Sequence, residues 1–303
     1  MKTILLGAFM LVSYLAIAQE VTFEKEFKID ESTTPHSYFA GDNTDEYYSM
    51  FIKEGSYLWG MLFNNSDQLV GNVATNKPDD KYSKFLGNSI EDSITHLYFS
   101  NNLKDAFIVK TFDFRTKISE EKRIPVFLRD EFLIGGFRNG SHFYFLIVNE
   151  FKPILKLYAL SGAEVKSFRE MDFSVYGYRK SELFKLLGGK SSLFNLPDIV
   201  GFNTGDFISL ADASEKIKTY LRKDELIITV DTKNEDTKVI KIGLGNNNSS
   251  HQSILKHKGD CKSVKKSNSI LLENSIFQLT TCEFHTHTVM KNMKDLTVLY
   301  RSV

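Results

Sequence analysis

The chain has 303 residues, with 38 Lys and Arg against 38 Asp and Glu, 42% hydrophobic residues and two cysteines. That length suffices for a sizeable buried core. The balanced charge offers no basic face to neutralise nucleic-acid phosphates, and two cysteines exclude a disulfide-framework scaffold.

The first element is a leader. Lys2 supplies a positive charge, residues 3–18 (TILLGAFMLVSYLAIA) carry none, and Ala16-Ile17-Ala18 precedes Gln19-Glu20. Small residues three and one positions before a cut, after a short apolar run, form a signal-peptidase site, so cleavage between Ala18 and Gln19 is expected. The run is shorter than the ~20 residues of a membrane span, and Glu20 and Glu24 come after it instead of a basic flank. The expectation is a secreted or periplasmic protein. Residues 1–18 would be removed and residues 19–303 would form one all-β domain with no remaining membrane span. The chain stops just after its last strand candidate, which also leaves a truncated C-terminus open.

Strand signals dominate the rest of the chain. There are 25 Phe and 13 Tyr but only 5 Pro, a balance that suits pleated, half-buried surfaces. In chain order the candidates begin with residues 57–63 (YLWGMLF), which run into the turn Asn64-Asn65-Ser66-Asp67. Next come residues 106–114 (AFIVKTFDF) and 142–148 (HFYFLIV), the latter apolar enough for a strand buried on both faces. Residues 181–187 read as a short helix, starting at a Ser181 cap and stopping at Gly188-Gly189. Residues 211–221 read as a second helix or as a loop leading into a strand. Residues 225–230 (ELIITV) and 239–244 (VIKIGL) alternate on either side of the polar turn 231–236, the best hairpin signal in the chain. Residues 243–253 read as a long Asn- and Ser-rich loop, 256–266 as a solvated basic loop, and 295–300 (DLTVLY) as a closing strand.

Two of these segments repeat. Residues 108–114 (IVKTFDF) and 154–160 (ILKLYAL) share two apolar residues, a lysine and an alternating strand, then a turn and a further strand. Their separation of about 46 residues suits a four-stranded blade unit. Residues 68–73, 239–244 and 295–300 echo the pattern more weakly, and a weak unit is counted near residues 199–210. About six such units fit the mature length. Residues 16–19, 154–165 and 220–230 carry a resemblance to β-propeller repeats, and the chain is similar to exported propeller-like proteins of Bacteroidetes-type bacteria. The resemblance implies an all-β propeller or propeller-like array and carries over no functional residue, since neither a Gly-His…Trp-Asp signature nor a recurring paired-glycine signature is present. Tandem β-sandwich domains remain the alternative reading of many short strands.

The chemistry is sparse. Gly188-Gly189-Lys190-Ser191 lacks the earlier glycine of a phosphate-binding loop, because Phe184 stands in its place. No G-x-S-x-G, H-E-x-x-H, C-x-x-C or calcium-loop pattern occurs. The acidic runs 42–46 and 231–236 read as solvated turns. The one suggestive constellation is Glu283, His285 and His287. Along a strand these alternate residues share a face and offer two imidazoles and a carboxylate to a transition metal, set opposite Cys282, Phe284 and Thr286; the competing reading is an exposed polar face with no metal. Trp59 reads as core, and Tyr176-Gly177-Tyr178 as a loop with aromatic faces. In an oxidising compartment Cys261 and Cys282 form a disulfide or remain two unpaired thiols; a bridge closing about 20 residues would stabilise by about 3 kcal/mol. No cofactor or nucleic-acid partner is expected, and the catalytic residues of any enzyme activity are unknown. The functional expectation is an exported binding or interaction module for a protein or carbohydrate ligand. The alternative is a secreted propeller-type hydrolase acting on glycans or peptides, with carboxylates gathered from separate units.

Overall fold

The computed structural model describes residues 36–41, 46–126, 128–188, 200–203, 215–222, 225–232, 236–244, 249–256, 264, 266–283, 285–295 and 297–302. The leader with its Ala18–Gln19 junction, Cys261, the bulk of the basic loop and most of the segment 199–210 lie outside them.

Twenty-one strands make five sheets among the described residues. The first sheet contains β1 (His36–Ala40), β2 (Tyr47–Glu54), β3 (Tyr57–Asn64) and β4 (Leu69–Asn76). The second contains β5 (Lys84–Glu91), β6 (Ile94–Ser100), β7 (Phe107–Asp113) and β8 (Ile118–Arg123). The third contains β9 (Glu131–Asn139), β10 (His142–Asn149), β11 (Ile154–Ser161) and β12 (Glu164–Asp172). The fourth has five strands: β13 (Val200–Asn203), β14 (Ile217–Arg222), β15 (Glu225–Asp231), β16 (Asp236–Gly243) and β17 (Ser250–Lys256). The fifth contains β18 (Lys266–Leu272), β19 (Ser275–Thr281), β20 (Thr286–Asn292) and β21 (Val298–Ser302). In every sheet spatial order matches chain order. The pairings are antiparallel except β13 with β14, which is parallel. The fold is therefore all-β, a propeller-like array of four-stranded meanders. Among the described residues the count is five rather than six.

The repeat seen in the sequence has a structural meaning. Residues 108–114 and 154–160 fall on β7 and β11, the third strands of neighbouring sheets, and 239–244 falls on β16, the third strand of the next antiparallel meander. Of the expected sixth unit near residues 199–210, the described residues include β13, added in parallel to the edge of the fourth sheet. Between β12 and β13 the chain makes a turn of 3-10 helix at Ser174–Tyr176 and one short helix, α1 (Glu182–Leu186). Ser181 occupies the cap position of α1 but makes no side-chain cap bond; instead the Arg179 N–H donates to Glu182 Oε2 at 2.8 Å. Of the two readings of 211–221, a helix or a loop leading into a strand, the strand is found from Ile217 onward as β14, because Lys218 and Tyr220 alternate inward against β15.

Burial depends on strand position. The second strands β6, β10 and β15 are buried along almost their whole length, which is why their sequences are continuous apolar runs. The outer strands β8 (ISEEKR) and β12 (EVKSFREMD) are mostly exposed and charged, a device that keeps an unpaired edge from recruiting another strand.

The chain divides into two compact units. One comprises Met1–Lys77 with Asp113–Ile118, the other Pro78–Phe112 with Ser119–Val303. In the first, Phe51 and Phe114 pack with ring centroids 6.3 Å apart. A Cβ at Gly60 would lie 2.7 Å from the Phe51 ring. In the second unit successive sheets share apolar cores. Tyr98, Phe107, Phe143, Phe145 and Leu160 join the second and third sheets, and Leu155, Leu226, Ile228 and Ile240 join the third and fourth.

Phe143 shows how tightly this packing is specified. Its ring stacks on Tyr98 at 4.2 Å and 11° and lies over two glycines. A Cβ would approach that ring to 2.6 Å from Gly87 and to 2.5 Å from Gly136. Gly87 also has φ +140°, a conformation that other residues rarely adopt. The adjacent Gly135 has nothing within 4 Å of its Cβ position. Gly136→Ala is expected to destabilise the protein by roughly 1–3 kcal/mol through overpacking. Gly135→Ala is expected to be neutral or to stabilise by up to about 1 kcal/mol, as removal of a strand glycine does. Denaturant midpoints of the two variants, compared with the wild type, check the pair.

Candidate functional site

Cys282, His285 and His287 form the only group of three or more His, Cys, Asp or Glu residues with metal-ligand geometry among the described residues. One ligand atom from each lies within 4.8 Å of the others. The hairpin between β19 and β20 builds the group. Thr280 pairs with His287 and Thr281 with Thr286, and the Cys282 N–H donates to the His285 carbonyl at 2.8 Å. The chain thus reverses between Cys282 and His285, with Glu283 in the bend. Opposed residues on an antiparallel pair share a face, and a step of two along either strand keeps it. Cys282, His285, Thr280 and His287 therefore share one face. It is the buried one, since Thr280 and His287 are only 4% and 5% exposed.

Sequence alternation set Cys282 opposite the histidines and Glu283 beside them. The arrangement is reversed because the strand ends at Cys282 and the chain turns back before His285. Glu283 is an exposed bend residue outside the group, and Phe284 lies outside the described residues. His285 is exposed and stacks edge-on against His287, ring centroids 4.6 Å apart at 84°. His287 Nε2 is buried with no hydrogen-bond partner among the described residues, a condition that costs about 1–3 kcal/mol. Cys282 does not present a free thiol.

The other polar constellation is an ion pair that the sequence reading left among solvated acids. Lys218 is fully buried and Asp231 is 4% exposed. Lys218 Nζ donates to Asp231 Oδ2 at 3.3 Å and to Asn268 Oδ1 at 2.7 Å. Asp231 also accepts from Thr237 Oγ1 at 2.7 Å and from the Ser269 N–H at 2.8 Å. Gln278 Nε2 extends the network to Thr237 Oγ1 and to the Leu255 carbonyl. Burial pushes the Lys218 ammonium below its ordinary range, and Asp231 opposes that shift. Parity was the available signal: Lys218 pairs with Thr229, two residues from Asp231, so the two ends share a face. Both charged groups are held by protein partners, which marks a structural tie between the fourth and fifth sheets.

His96 is a third buried polar group. It is 8% exposed, its Nδ1 lies 2.9 Å from Thr111 Oγ1, and Gly162 at φ +56° closes over its ring. Burial pushes its pKa down to about 4. The aromatic candidates are built into the fold. Tyr176 donates its hydroxyl to the Ser250 carbonyl at 2.7 Å, Tyr178 is 6% exposed, and Trp59 is partly buried within β3. No helix among the described residues is long and apolar enough to cross a membrane.

No family model matches the chain, and no curated relative matches it. Among solved structures it is similar to the Dos1 propeller, at 9% identity over 87% of this chain and 59% of that one, with a TM-score of 0.39. It is similar to Hsv2 of Kluyveromyces marxianus, at 8% identity over 88% and 64%, TM-score 0.36. It is also similar to cobalt-substituted apocarotenoid oxygenase of Synechocystis, at 8% identity over 88% and 60%, TM-score 0.42. The chain spans less than two thirds of the length of these structures.

The buried groups give two expected outcomes. Asp231→Ala leaves the Lys218 ammonium without its counter-charge and is expected to cost about 3–5 kcal/mol. Lys218→Met leaves Asp231 with two donors and is expected to cost less; urea unfolding of both variants checks the order. For His96, the unfolded chain titrates near 6.5 and the folded ring near 4. Between these values the unfolded chain holds the extra proton. Stability is therefore full above pH 6.5 and falls as pH drops towards 4, by about 3 kcal/mol in all. His96→Gln is expected to flatten that slope in a pH series of thermal midpoints.

Proposed function

We propose that this chain is an exported interaction module that captures a strand of a partner protein along the outer edge of β21. The observation that carries the reading is a run of three exposed apolar residues on the outer strand β21, longer than the exposed Leu69-Val70 pair of β4. β8 and β12 are blunted by charge, whereas β21 presents Val298, Leu299 and Tyr300 at 45%, 52% and 51% exposure. Its only strand partner among the described residues is β20. An apolar edge strand with one side unpaired is a template for strand addition, with backbone hydrogen bonds giving affinity and alternate side chains giving specificity. The leader supports export, with Gln19 as the first mature residue. In that compartment Cys261 and Cys282 are paired as a disulfide.

The mature chain recovered from outside the cytoplasm is expected to begin at Gln19 on N-terminal sequencing and to yield a Cys261–Cys282 cross-linked peptide. Bait carrying Leu299→Lys and Tyr300→Lys, with an unchanged thermal midpoint, is expected to lose a protein that wild-type bait retains from the same fraction. Equal retention by both baits would reject the edge as the docking site. A thermal shift with an oligosaccharide that persists in the double variant would replace the protein partner with a carbohydrate.

A further inference from the structure

We propose that Cys282, His285 and His287 form a zinc-type metal site that is closed while Cys282 is held in a disulfide and opens when that bridge is reduced. The inference rests on the Cys261–Cys282 pairing proposed above. It begins from His287, a residue only 5% exposed, with Nε2 bonded to nothing among the described residues. Buried imidazole nitrogens are ordinarily satisfied. The His285 ring stands 4.6 Å from the His287 ring, and one ligand atom from each of Cys282, His285 and His287 lies inside a 4.8 Å span.

The donor set fits one class of ion. Two imidazoles and a thiolate suit borderline-soft Zn²⁺, which takes nitrogen at about 2.0–2.1 Å and sulfur at about 2.3 Å. Donors around a tetrahedral ion at those lengths stand closer together than 4.8 Å, so the set must contract by roughly 1 Å. His285 is the donor that can supply the movement, because it is exposed at the hairpin end while His287 and Cys282 are fixed on the buried face. Three protein donors leave the fourth position open, as in zinc sites that bind a water or an incoming group.

Oxidation state sets whether the third donor exists. A disulfide sulfur carries no thiolate charge and is a poor zinc ligand. A dithiol reductant breaks the sulfur–sulfur bond, delivers two electrons and two protons to the two cysteines, and leaves as its own disulfide. Zn²⁺ then binds the Cys282 sulfur and displaces its proton to solvent. Reoxidation by a disulfide reverses both steps and expels the ion. The hairpin would thus convert thiol status into metal occupancy.

The test is a cobalt(II) titration of the purified mature chain, untreated and after reduction with a phosphine that does not compete for metal. Reduced protein is expected to bind one cobalt ion with a thiolate-to-cobalt absorption band that zinc bleaches; untreated protein is expected to show no band. Cys282→Ser should abolish the band. His287→Gln and the surface variant His285→Ala should each weaken binding by more than the about 10-fold that loss of an outer-sphere partner costs. His285→Ala guards against misfolding, since an exposed side chain can be removed without opening the core. A reduced wild-type protein without the band, or one whose binding is unchanged by His285→Ala and His287→Gln, overturns the site. A thiol count on untreated, denatured protein separates the two readings. No reactive thiol supports the lock. Two reactive thiols with a cobalt band already present keep the metal site and reject both the lock and the bridge.

Discussion

The buried charge of Lys218 is the constraint on which the C-terminal half of the fold depends. An ammonium wholly removed from water is tolerated only where a counter-charge and further acceptors surround it. Here Asp231 comes from the next strand of the same sheet and Asn268 from the first strand of the fifth sheet. The carboxylate in turn needs Thr237 Oγ1 and the Ser269 N–H. A slip of one residue between β14 and β15 would turn Lys218 to the opposite face and leave Asp231 without its cation. One ion pair thereby fixes strand register within the fourth sheet and the placement of β18 beside it. A pair of apolar residues would fill the same space with less demand on geometry.

The joint between the second and third sheets is specified by shape instead of charge. Phe143 lies flat against Tyr98 and needs the absence of side chains at Gly87 and Gly136. Close approach of two twisted sheets is an interior-packing problem, and interiors packed to crystal-like density leave no room for an extra methyl group. The Tyr98 hydroxyl lies 3.2 Å from Ser89 Oγ, so the polar tip of the stacked ring is satisfied inside its own sheet. The second–third and third–fourth joints are thus apolar, and the buried ion pair is added where the fourth sheet meets the fifth.

Much of this was legible in the sequence, for identifiable reasons. The hairpin of 225–230 with 239–244 emerged as β15 and β16 because two apolar arms flank a polar turn. The match between residues 108–114 and 154–160 was legible because third strands face the same environment in successive sheets. The count of units was less so. Residues between β12 and β14 contribute α1 and a parallel strand, and composition does not distinguish such an insertion from a weak meander. Asp231 was read as a turn acid because it opens a polar run; only the register with Lys218 shows that it faces inward.

The histidine cluster marks a different limit. Period-two reasoning assumes that the strand continues, and it assigns faces correctly until the chain reverses. At residues 282–285 the reversal places the cysteine and the first histidine across from each other, so residues an odd number apart come to share a face. Grouping of side chains at a hairpin end is therefore set by the residues that occupy the turn. Opposed residues that close this tight turn are three apart in sequence, which puts the sulfur on the same face as the histidines. A three-residue spacing of cysteine and histidine across a tight turn, with a second histidine two residues on, is thus a geometric requirement of this cluster. The same requirement explains why Glu283, the acid nearest in sequence, stands apart: it forms the turn that brings the other three together.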